Sequence, residues 1–291
     1  MKFFRLKILV GLLLIALSGP TVFALTPVEI FQRGNAESVE VVSNKLMTTS
    51  VGYIDQIREG NIPGHTFLSI RGHCQDIGTT NQEMSALGTA RFGNWPSAAA
   101  GAVVVSTSVQ DASGGTGATS ITISGLKDTA GVWEATTIVV IPTGTTPTAA
   151  SAQEFIRIDS VVVTTCGSWL TNVGDITVSI GGVDTIAVYA EHSSSESGRV
   201  TVPSDETMYL GAPEGSAVGN KEVTYHVFTR NNVVANSPFV LKASWHSGEG
   251  GYSPSGKLEP IPEKTDVVII THAVSAGAIG SVSLHGWKET D

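Results

Sequence analysis

TSVQDASGGTGATSITISGL (107–126) sets three glycines and an aspartate between two apolar, β-branched runs. A phosphate loop of the GxxxxGK[ST] type needs a lysine and a following helix. Here GGTGATS has no lysine, and the residues after it place Ile121 and Ile123 on one face and Thr122 and Ser124 on the other. A period of two predicts a strand, so no helix N-terminus is at hand to hold an anion. A calcium loop would draw on Asp111, Gln110 and backbone carbonyls, and would need a distant acid such as Asp128 or Glu134. The stretch reads instead as a strand-to-strand connection in which Gly114, Gly115 and Gly117 take positive φ angles.

The same texture runs outward in both directions. Short runs with β-branched or alternating residues occupy 65–72, 99–109, 119–126, 133–141, 155–165, 176–182, 185–192, 198–203, 207–213, 222–230, 239–246, 265–274 and 280–287. Thirteen strands broken by Gly, Ser, Asn and Pro clusters have the rhythm of sandwiches and jelly rolls. No helical pattern separates consecutive strands, which argues against βαβ units. The predicted fold is all-β, an antiparallel β-sandwich or jelly roll, in one folded unit or two packed sandwiches. PTGTTPTAASAQ (142–153) serves either as a linker or as a long Greek-key return. It gives a working division into residues 61–150 and 151–291. Residues 25–60 form an extension, in which YIDQIREGN (53–61) reads as a helical turn ended by Gly60.

The leader MKFFRLKILVGLLLIALSGPTVFA (1–24) has the basic, apolar and small-residue order of a secretory signal peptide. An uncleaved anchor is the alternative reading, and only then would a membrane be a partner. The chain is expected to be exported. Its formal net charge of −9 argues against nucleic acid. Cys74 and Cys166 suit one disulfide in an exported chain or two free thiols equally well.

The chemistry-bearing residues form no enzyme signature. His73 and Cys74 are adjacent, but neighbours in a strand point to opposite faces, so this histidine cannot activate that thiol. His65 and His73 do not have the spacing of a metal pair. EHSSSESG (191–198) reads as a polar loop, and a two-carboxylate hydrolase cannot be argued from scattered acids. No catalytic residue, metal ligand or cofactor is assigned. WHSGEGGYSPSG (245–256) has the look of a sugar-binding loop as well as of a plain exposed one. Trp245, Tyr252 and Trp169 are the candidate ligand-contact rings, with a surface glycan as the partner.

Several ordered motifs carry a resemblance. They are GNIPGHTFLSIRGHCQDIGTT (60–80), NWPSAAAGAVVVSTSVQDASGGTGATSITISGL (94–126), EATTIVVIPTGTTPTAASAQEFIRIDSVVV (134–163), NVGDITVSIGG (172–182) and IPEKTDVVI (261–269). Together they are similar to β-rich virion-associated proteins of marine tailed phages and large viruses of algae and protists. The resemblance implies a structural or host-facing role in a virus particle, with sibling or other structural subunits as partners. Within these motifs Arg157, in an apolar strand, is either on a solvent face or paired with a buried acid; alternation puts it on the face of Phe155, which favours an exposed or interface-facing side. Lys264 and Asp266 are expected on the wet face of the last sheet segment. The expected function is non-enzymatic and structural, in a virion or at a cell surface. A secreted carbohydrate-binding or adhesin module is the alternative.

Overall fold

The computed structural model describes residues 37–42, 45–50, 53–87, 92, 95–211, 213–218, 221–247 and 260–290. The leader (1–24) and Tyr252 lie outside the described residues. The chain divides into two units, Met1–Glu59 and Gly60–Asp291. In the first, β1 (Glu37–Val42) and β2 (Lys45–Ser50) form an antiparallel hairpin. The helix α1 (Tyr53–Arg58) follows, and Gly60 comes after it at φ +76°, as its sequence predicts.

Among the described residues of the second unit the regular elements are all strands. They are β3 (His65–Ile77), β4 (Gln82–Glu83), β5 (Ala100–Ser106), β6 (Ala118–Thr129), β7 (Val132–Val140), β8 (Glu154–Phe155), β9 (Arg157–Cys166) and β10 (Ile176–Ile180). After them come β11 (Val183–Val188), β12 (Arg199–Thr201), β13 (Glu206–Leu210), β14 (Glu214–Val218), β15 (Val223–Asn231), β16 (Val240–Ser247), β17 (Thr265–Ala273) and β18 (Ala278–Thr290). Every pairing is antiparallel. The all-β antiparallel expectation holds, and each of the thirteen expected segments contains a strand.

Two hydrophobic cores divide these strands. Sheets β11-β10-β5-β8 and β7-β6-β9 face each other over Val104, Ile121, Ile123, Phe155, Ile158 and Ile176. The other core lies between β12-β17-β15-β16 and β13-β18-β14, with β4 added to β17 and β3 to β18; Tyr225, Met208, Leu284 and Ile269 fill it. The two cores group the strands differently from a division at residue 150. The strands of one sandwich, β5 to β11, follow one another in the chain, and the other is assembled from β3, β4 and β12 to β18. Its closure depends on β3 pairing with β18, a contact across more than two hundred residues. Local pattern carries no trace of such a pairing.

The glycine-rich stretch joins β5 to β6, which lie in opposite sheets of the first sandwich. Of its glycines only Gly114 has positive φ, at +75°. Gly115 and Gly117 are required by close approach. A Cβ on Gly115 would sit 2.1 Å from the Gln110 carbonyl oxygen, and one on Gly117 would sit 2.2 Å from Asp111 Oδ1. Asp111 is fully buried. Its Oδ1 accepts from Ala118 N at 2.8 Å and Val173 N at 2.9 Å, and its Oδ2 from Ser106 Oγ at 2.6 Å and Gly174 N at 2.9 Å. Both oxygens are saturated by the fold, so this carboxylate ties two loops together instead of offering itself to an ion.

Candidate functional site

The two sandwiches meet at a buried knot of charge. It starts from a break in alternation: Ile156 is a bend between β8 and β9, so Phe155 enters the first core while Arg157 turns to the junction. The prediction of an exposed Arg157 is corrected accordingly; the residue is 4% exposed and Asp266 is 0% exposed. Asp266 on β17 is thus not on a wet face, and Lys264 before it is half-buried. Arg157 grips Asp266 with two teeth, Nε to Oδ1 at 2.8 Å and Nη2 to Oδ2 at 3.1 Å. Its remaining donors reach the carbonyls of Pro96 and Ile156 and the side chain of Asn232. Arg230 adds Nη2 to Asp266 Oδ2 at 2.6 Å, and Thr201 Oγ1 donates at 2.9 Å. Burial alone would raise the Asp266 carboxyl, but the two guanidinium groups outweigh it and hold it below the ordinary carboxylate range.

A second pair lies alongside. Arg199 Nη2 meets Glu83 Oε2 at 2.8 Å, and Trp95 Nε1 donates to Glu83 Oε1 at 3.0 Å. The indole of Trp95 is flanked by the guanidinium groups of Arg199, Arg157 and Arg230 at 5.0, 5.4 and 5.6 Å. Cations over an aromatic face are attracted to its quadrupole, so one ring separates three like charges that would otherwise repel.

Beside the knot a cleft of about 370 Å³ opens between the sandwiches. Its position follows from a bulge. Ser124 pairs with Ser160 and Gly125 with Ile158, leaving Asp159 as the extra residue of β9. A bulge re-aims the side chain it carries, and Asp159 is turned into the cleft wall. Protein encloses it on most sides while one edge keeps solvent contact. Its Oδ1 accepts from Thr201 N at 3.2 Å, and Lys288 and Arg157 favour the charged form. Enclosure outweighs them and raises the carboxyl to about 7. Ser124, Thr137, Ser160, Ser195 and Ser197 bring hydroxyls to the same wall, and Leu68, Ile70, Leu126, Val200 and Pro203 supply apolar surface.

The folded-state value of Asp159 lies above the unfolded one, so the protonated form favours folding. Its contribution is complete near pH 4 and is lost as pH rises through about 7. Asp159→Asn is therefore expected to be neutral at acid pH and to stabilise the protein by about 2 kcal/mol at alkaline pH, less than the full linkage because the cleft admits water. Urea unfolding of both proteins across that pH range reads the difference; equal curves would refute the assignment.

Of the rings proposed as ligand contacts, Trp245 and Trp169 lie in different places. Trp245 is 3% exposed and stacks on Tyr225 with centroids 5.3 Å apart, inside the second core, so it presents no face to a glycan. The segment 245–256 begins as the end of β16, whose alternation sends Trp245 inward. Trp169 is 58% exposed and held by its N–H to the Thr116 carbonyl. Cys74 and Cys166 are free thiols, one in the second core and one against the first. Burial pushes the Cys74 thiol up, away from nucleophile chemistry. His73 turns the other way, with Nδ1 2.9 Å from Ser281 Oγ and its ring 5.7 Å from that of His192. Among the described residues no group of three or more His, Cys, Asp or Glu is placed to hold a metal ion. Compared with protein-family models and with curated proteins, the sequence matches none.

Proposed function

We propose that this chain is a non-enzymatic structural protein of a virus particle or cell-surface assembly, working through contacts between copies of itself. One observation carries this reading: strand β7 is an open edge that carries no charge beyond Glu134, which is paired with Lys127. It ends the order β7-β6-β9, and beyond Trp133, which exchanges hydrogen bonds with Ser204, its backbone partners among the described residues all lie on β6. Folded proteins usually guard such an edge with charge, proline or a bulge. Here Ala135 to Ile141 contains neither charge nor proline, and Val139 and Ile141 are 65% and 58% exposed. The sheet face behind it continues the theme with hydroxyl pairs between Thr122 and Thr164 and between Ser124 and Thr137. On a chain of net charge −9, an uncharged face is where copies approach with least repulsion. Two β7 edges related by a two-fold axis pair antiparallel and close.

Sedimentation of the exported chain is expected to show a defined oligomer. Val139→Lys with Ile141→Lys returns monomer with an unchanged β-sheet circular dichroism spectrum. A wild-type monomer at high micromolar concentration, or an oligomer indifferent to both lysines, would overturn the proposal. Detection of the chain in purified particles separates a virion from a cell-surface setting.

The exposed ring of Trp169 favours glycan contact as a second reading. Trp169→Ala then abolishes binding on a glycan array while leaving assembly intact; binding unaffected by the substitution removes that reading.

A further inference from the structure

We propose that the cleft between the two sandwiches binds a small, neutral, polyhydroxylated molecule of monosaccharide size. Its volume of about 370 Å³ lies in the range of small-molecule sites. Acceptor and donor capacity is left unspent inside it. Asp159 uses Oδ1 for Thr201 N, and its Oδ2 has no hydrogen-bond partner among the described residues. Ser197 is 5% exposed, lines the wall, and its Oγ has no hydrogen-bond partner among the described residues. A buried hydroxyl without a partner is destabilising, a deficit that a ligand hydroxyl removes.

The wall charges choose a neutral ligand. Lys288 is engaged by Glu206 at 2.7 Å and Arg199 by Glu83 at 2.8 Å, and Arg71 completes the basic side of the wall. These three cations disfavour an amine, while ionised Asp159 disfavours an anion. A polyol donates to the carboxylate and accepts from serine hydroxyls without importing charge, and its C–H face suits the apolar side of the cleft.

The groups acting on Asp159 are Arg157 on its own strand, Lys288 on β18 and Asp266 on β17, with Arg199 on β12 and Arg71 on β3 sharing the cleft wall. A ligand hydroxyl bonds more strongly to the ionised carboxylate than to the acid. Affinity is therefore highest above neutrality and falls about tenfold once the carboxyl is protonated, the difference between a charged and a neutral hydrogen bond.

Saturation-transfer NMR on the full chain, with free glucose, galactose and N-acetylglucosamine as probes and glycerol as control, tests this. At least one sugar is expected to bind at pH 8 and to weaken about tenfold toward pH 5. Ser197→Ala weakens it about fivefold, and Asp159→Asn binds at the acid-form level at every pH, both variants keeping the wild-type circular dichroism spectrum. Absence of transfer from all three sugars overturns the proposal. So does transfer that both variants leave unchanged, which would place binding elsewhere, at Trp169 for example. Neither failure bears on the oligomer measurement that tests the β7 edge.

Discussion

Asp266→Ala is expected to cost the fold about 4 kcal/mol, the range found when one partner of a buried ion pair is removed. The carboxylate accepts from Arg157, Arg230 and Thr201 and is 0% exposed. Without it, the 5% exposed side chain of Arg157 stays behind as an uncompensated cation. Alanine also opens a hole at the point where the sandwiches touch. With total stabilities of about 5–15 kcal/mol for folded domains, that loss moves a urea midpoint far outside error. Asp266→Asn keeps the shape and one acceptor, so it is expected to recover part of the loss. A change below about 1 kcal/mol in Asp266→Ala would mean that the junction is held by apolar packing alone.

The pH dependence of this carboxyl runs opposite to that of its neighbour. Asp266 is held below its ordinary value, so its stabilisation is complete above the unfolded value of about 4 and is lost as pH falls through the lower folded value. Asp159, raised to about 7, withdraws its contribution as pH rises toward that value. From these two groups together, stability peaks near pH 4. Asp159→Asn flattens the alkaline limb, and Asp266→Asn flattens the acid one.

Much of the strand content was legible because turn clusters bound short β-branched or alternating runs. β14 was hidden, since EGSAV (214–218) looks like a turn. Its Gly215 is there because a Cβ would meet Trp245 Nε1 at 2.8 Å, a fact about a ring thirty residues away. The partition into sandwiches was hidden for the same reason, because β3 belongs with β18 and not with the strands that follow it. The site left one sign. FIRIDSVVV (155–163) carries Arg157 and Asp159 inside an apolar run, and two charges where a core strand is expected mark a polar junction. Alternation alone misread it as an exposed face, because the bend at Ile156 and the bulge at Asp159 both interrupt the period of two. Ser197 and Lys288 come from distant elements, and no spacing connects them. For Trp245 the misleading signal was the glycine-rich string after it, which hid that the ring still belongs to β16.

Asp111→Ala is expected to be as damaging as any single change in the first sandwich, at about 4–6 kcal/mol. Three buried or half-buried backbone N–H groups and the Ser106 hydroxyl lose their acceptor together, and each stranded donor costs about 1–3 kcal/mol before water or relaxation recovers some of it. Asp111→Asn is the sharper comparison. Its amide supplies one acceptor oxygen, but its NH₂ must face two donors, so about 2–3 kcal/mol is lost with no change of volume. Gly117→Ala presses on the same carboxylate from the other side, at 2.2 Å from Oδ1, and is expected to match Asp111→Asn. The effect reaches the surface, because Trp169 and Gly167 hydrogen-bond to Thr116 and Gly117 in the loop that Asp111 anchors. Hydrogen exchange is therefore expected to accelerate at 166–174 in Asp111→Asn while β10 and β11 stay protected. If both variants unfold at the wild-type urea midpoint, the carboxylate is not what fixes these loops, and Trp169 owes its position to something else.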